Sequence, residues 1–128
     1  MKNAIIYIYS LFIINFSLLK MSLLKQKSYD FALRIIKLYK YLSDEQKEYI
    51  LSKQVMRSGT AIGALVSEAE FAQSKADFIN KLSIALKEAN EAGYWLRLLK
   101  DSSYISNQMF DSSEPDINIR RIWKILAS

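Results

Sequence analysis

The chain lacks cysteine and histidine altogether, and its 128 residues include one proline and three glycines. Without cysteine there is no disulfide framework and no thiol chemistry, which fits a reducing compartment and gives the cytoplasm as the expected location. Without histidine, the commonest general base, the side chain that titrates near neutrality and the usual transition-metal ligand are all missing. Catalysis would have to rest on carboxylates, lysine, tyrosine or serine. No metal and no cofactor is expected. Scarce proline and glycine leave little material for hairpin turns and suit long helices.

What is present is a hydrophobic half, 51% of the residues, and a formal charge of +5. Lys2 and Lys20 supply two of those positive charges, so from Met21 onward the balance is a mild +3. That permits contact with nucleic acid or an acidic partner without requiring it. The length suits one domain with one core.

Residues 1–20, MKNAIIYIYSLFIINFSLLK, differ from the rest. The apolar run from Ala4 to Leu19 is interrupted by Ser10, Asn15 and Ser17, and is shorter than the ~20 residues that a spanning helix prefers. A lysine followed by an apolar core resembles a signal peptide, yet no small-x-small cleavage pattern precedes Lys20. Ile5, Ile6, Tyr7, Ile8 and Tyr9 weaken a helical reading through their β-branched and aromatic content. Met21 offers an alternative start. The expected organisation is therefore an apolar extension over 1–20, best explained as upstream sequence ahead of a membrane anchor or an ordinary extra element, and a bundle domain over 21–128.

The periodicity predicts an all-α, up-and-down antiparallel four-helix bundle. Ser28 reads as the N-cap of a first helix carrying Phe31, Ile35, Leu38 and Leu42 on one stripe, with Lys27, Arg34, Lys37 and Lys40 opposite. Ser43-Asp44-Glu45-Gln46 has the capping-box pattern and predicts a second helix running to about Ala72. Ser74 caps a third, whose seam is Phe78, Leu82, Ala85, Ala89, Ala92, Leu96 and Leu99. Ser106 caps a fourth, expected to be kinked or broken near Pro115, with Ile117, Ile122, Trp123 and Leu126 on its second piece.

The second helix contains LSKQVMRSGTAIGALVSEA, where Ser58, Gly59, Thr60, Ala61, Gly63 and Ala64 cluster. A helix-interior glycine costs roughly 1 kcal/mol relative to alanine, so two of them four residues apart need a reason. Close approach of another backbone supplies one. Ser58, Gly59 and Gly63 are expected to form a packing notch where the second helix crosses the alanines Ala85, Ala89 and Ala92 of the third.

No phosphate-cradling glycine loop is present, because Gly59, Gly63 and Gly93 all fall within helical periodicity. No histidine-based nucleophilic pair is available. Glu88 and Glu91 lie one turn apart, but the histidines that complete a di-iron bundle site are missing. Glu68, Glu70, Glu88 and Glu91 are the central carboxylates, and exposed helix glutamates explain them. No catalytic residue is assigned; the chain reads as non-enzymatic.

The segments SYDFALRIIKLYKYL, LSKQVMRSGTAIGA, QSKADFINKLSIALKEANEAGYWLRLLK and YIS, over about residues 26–105, resemble the small helical-bundle proteins encoded by intervening sequences in bacterial 23S ribosomal RNA genes. IRRIWKIL is similar more loosely. The resemblance implies a four-helix bundle and a homo-oligomer, a pentameric ring. Related bundles are accessory proteins of diversity-generating retroelements, in which a basic ring binds a reverse transcriptase and nucleic acid. This chain departs from the family pattern at Leu65, in place of the usual asparagine, at Ser67, in place of a common glutamate, and at Pro115 in the last helix. The family start normally lies near Met21.

Three functional expectations follow. The first is an oligomeric module that binds RNA or DNA phosphates through Arg34, Lys37 and Lys40, with Arg57, Arg97, Arg120 and Arg121. The second is a scaffold or accessory subunit for a protein such as a polymerase. The third, a membrane-attached bundle using residues 1–20, ranks last, because the apolar run is short and Met21 offers a start.

Overall fold

Residues 2–113 are described by a computed structural model in which four helices follow one another, with no strand among the described residues. They are α1 (Lys2–Asp44), α2 (Leu51–Glu70), α3 (Lys75–Asp101) and α4 (Asn107–Ser113). Turns of a few residues join them, so successive helices run up and down, with α2 packed against α1 and α3, and α4 against α3 and α1. The core is the set of apolar residues that recur at helical spacing. Leu24, Phe31, Ile35, Leu38 and Leu42 come from α1, Val55, Ile62, Val66 and Ala69 from α2. Leu82, Ala85, Ala89, Ala92, Leu96 and Leu99 come from α3 and are buried together, as the heptad pattern requires. Each large side chain here contributes about 1.5–3 kcal/mol by leaving water.

Two helix starts follow the sequence directly. Ser74 takes an extended conformation and its hydroxyl accepts from Asp77 N–H at 3.0 Å, capping α3, with Asp77 in the first turn. The Ser106 hydroxyl accepts from Met109 N–H at 3.1 Å and caps α4. Ile105 is buried just before it, and Met109 and Phe110 lean on the core. Pro115 and the second piece of the last helix lie outside the described residues.

Three expectations are corrected. Ser28 is not an N-cap: it lies buried within α1, its hydroxyl donating to Lys25 C=O at 3.0 Å, and the helix runs unbroken from Lys2. The β-branched residues at 5–9 are helical as well, since propensity differences of a few tenths of a kcal/mol are too small to break a long helix. The Ser43 box is not used either. The apolar stripe carries α1 on to Asp44, Gln46 donates instead to the Tyr41 hydroxyl at 2.8 Å, and the Ser43 hydroxyl is buried without a hydrogen bond among the described residues. Lys47 then turns the chain with φ 53°.

Glu48 takes over the capping of α2. Its Oε1 accepts from Ile50 N–H at 3.0 Å and Leu51 N–H at 2.8 Å, and its Oε2 accepts from Ser52 N–H at 2.7 Å. Three of the donors that a helix start leaves unsatisfied are thus held by one carboxylate. Burial alone would raise the pKa of that carboxyl, but the backbone hydrogen bonds together outweigh it and hold Glu48 below the ordinary carboxylate range.

The glycine notch is also filled by a different helix from the one expected. A methyl group on Gly59 would lie 2.8 Å from Ile35 Cγ1, and one on Gly63 would lie 3.5 Å from the Ser28 carbonyl oxygen. Both neighbours belong to α1. The notch therefore seats α1 on α2, and the buried Ala85, Ala89 and Ala92 of α3 are not among the atoms nearest to a β-carbon on either glycine. Ser58, the polar member of the notch, is buried with its hydroxyl donating to Gln54 C=O at 2.9 Å.

Candidate nucleic-acid interface

The spacing of three residues from Arg34 to Lys37 to Lys40 spreads these cations over one side of α1, opposite the buried stripe. All three are exposed, and among the described residues none of them makes an ion pair. The Arg34 guanidinium lies 5.7 Å from the centroid of the Phe31 ring, which steadies its stem without consuming its donors.

Arg34 and Lys37 also line a shallow groove of about 270 Å³ between α1 and α4. Leu38 and Tyr41 of α1 and Met109, Ser112 and Ser113 of α4 complete it, and among the described residues no carboxylate lines it. The groove thus offers two cations and two serine hydroxyls beside apolar surface and the Tyr41 phenol. Such a lining can hold a phosphate and give a base or sugar something flat to rest on. The α4 residues could not be anticipated from periodicity, because only the tertiary return of α4 to α1 brings them near Arg34.

Arg57 on α2 lies near the acidic pair of α3. Burial raises the Glu88 carboxyl above its ordinary range, the charge and hydrogen bond of Glu91 raise it further, and Arg57 pulls it back down. Glu91 also accepts from the Trp95 indole N–H at 3.2 Å. Arg57 therefore spends part of its field on these carboxylates. Arg97 is exposed on α3. Arg120 and Arg121 lie outside the described residues. Two ion pairs tie helices together rather than presenting charge: Lys25 to Glu70 at 2.6 Å, and Lys81 to Glu68 at 3.0 Å. No group of three or more acidic residues close enough to hold a metal ion occurs among the described residues.

A model of the 23S rRNA-intervening sequence protein family matches residues 21–127. The chain belongs to that family. A crystal structure of a protein of unknown function from the S23 ribosomal protein family of Bacteroides thetaiotaomicron is similar throughout its length. The two are 51% identical with a TM-score of 0.81, covering 85% of this chain and 99% of that one. No curated protein matches. The family match begins at Met21, so the basic side of α1 and the α1–α4 groove fall inside it, whereas the first twenty residues fall outside it.

Proposed function

We propose that this 23S rRNA-intervening sequence protein is a non-catalytic, nucleic-acid-binding bundle that acts as a homo-oligomer, with Arg34, Lys37 and Lys40 as its principal phosphate contacts. One observation carries the reading: a row of exposed cations on α1 that no described carboxylate neutralises, opening onto a groove whose described lining holds no carboxylate. Phosphate contacts of this kind supply affinity without selecting sequence. Arg97, Arg120 and Arg121 are the further phosphate contacts of this reading, and Arg57 contributes least because Glu88 and Glu91 oppose it. A ring of five copies would repeat the row around one assembly and multiply weak contacts into avidity.

The test is fluorescence anisotropy of labelled RNA and DNA at low salt, with the protein's mass in solution measured alongside. Wild-type protein binds both polymers, and the triple variant Arg34→Glu/Lys37→Glu/Lys40→Glu loses that binding while keeping its helical circular dichroism. A wild-type protein that retains neither polymer at low salt sinks the proposal. Recovery of one protein partner that survives nuclease treatment would transfer the surface to a protein scaffold role.

A further inference from the structure

We infer that residues 3–19 insert into a lipid bilayer as an anchor helix, with the bundle held at the membrane on the side of Lys20. This rests on the extension alone and is independent of nucleic-acid binding.

From Ile5 to Leu19 the large apolar side chains of α1 are 44–68% exposed, and they point in every direction around the helix axis. A helix that is apolar all round is covered by protein or by lipid. Among the described residues nothing buries it: Ile13, Ile14 and Leu18 remain more than half exposed where they line an open groove of about 1130 Å³ with Gly63, Phe78 and the charged Glu70 and Lys75. An interfacial helix lying flat would need a charged face, and residues 3–19 contain no charge at all. Ser10, Asn15 and Ser17 are its polar interruptions.

The structure also removes the objection that this stretch is a poor helix. Seventeen helical residues rise about 26 Å at 1.5 Å each, against a hydrocarbon thickness of about 30 Å, a mismatch that local thinning accommodates. Lysines bracket the stretch at Lys2 and Lys20, and the Lys20 ammonium lies 4.0 Å from the centroid of the Phe16 ring. Tyr7 and Tyr9 stand near the other end, toward the level where phenols favour headgroups. Lys20, Lys25, Lys27, Arg34 and Lys37 follow the stretch closely, against Lys2 before it, which places the bundle on the cytoplasmic side. Continuity sets this apart from a cleaved leader. α1 passes without a break from the extension to Leu24, which is fully buried in the bundle, and no cleavage pattern precedes Lys20.

The full chain is expressed in bacterial cells, the membranes are washed with alkaline carbonate, and the purified protein is floated with phosphatidylcholine–phosphatidylglycerol vesicles. Wild-type chain stays in the washed membranes and floats with vesicles. Each lysine placed mid-span lowers the insertion equilibrium by about 100-fold, so Ile8→Lys/Phe12→Lys moves the protein to the soluble fraction with its helical circular dichroism retained. Wild-type chain released by carbonate, a variant that stays membrane-bound, or a cellular product whose N-terminal peptide begins at Met21 would each overturn the inference.

Discussion

At Gly59 and Gly63 the same substitution has opposite consequences. A β-carbon on Gly59 meets fully buried Ile35 at 2.8 Å and 3.0 Å, closer than carbon atoms tolerate, and both helices are held by the core on either side. Overpacking of that kind costs about 1–3 kcal/mol, against a helix-propensity gain of about 1 kcal/mol for alanine. Gly59→Ala is therefore expected to lower the urea midpoint. Gly63→Ala meets the Ser28 carbonyl at an ordinary 3.5 Å and is expected to raise the midpoint by up to about 1 kcal/mol of stability. Equal effects from the two variants would refute this account of the notch. The glycine pair was legible in the sequence as a place of close approach. Its partner was not, because Ile35 and Ser28 lie more than twenty residues away and nothing in either local pattern marks them as facing glycine.

Among the elements, α3 was the most legible and the junction of α1 and α2 the least. Ser74, Asp77 and an uninterrupted seven-position seam agree with one another, and the helix forms where they say. At the junction two rules conflict: a good capping box at Ser43 competes with an apolar stripe that has not yet ended at Leu42. Packing of that stripe is worth more than one cap, so the helix continues. Capping by Glu48 gives a pH signature. Its carboxyl lies below the ordinary value of 4.5 in the folded chain, so the stabilisation is fully present above that pH and is lost as pH falls through the lower, folded value. Glu48→Ala is expected to cost about 1–2 kcal/mol at neutral pH, with the gap to wild type closing in acid. Urea titrations in neutral and in acidic buffer measure this directly. A gap that persists unchanged in acid would mean that the carboxylate charge is not what caps the helix.

For the molecule as a whole, the fold was readable from periodicity, whereas the extent of α1 was not: nothing in residues 1–20 signals whether they join the helix that follows, and only the structure shows them doing so. Salt dependence tests the binding surface at this scale. If Arg34, Lys37 and Lys40 each neutralise one phosphate, the neutral triple variant Arg34→Ala/Lys37→Ala/Lys40→Ala, which retains residual affinity at low salt, should show a slope of log K against log salt shallower by about 2.7 for duplex DNA. A slope that is unchanged in the triple variant would place the phosphate contacts elsewhere. The unbroken length of α1 has one further consequence. With no joint between extension and bundle, the helix acts as a fixed spacer: Lys37 stands eighteen residues beyond Leu19, about 27 Å along the axis. Electrostatic influence in physiological salt fades over about 8 Å. An anionic membrane gripping one end and an anionic polymer resting against the other would thus scarcely repel each other, and both could be held at once.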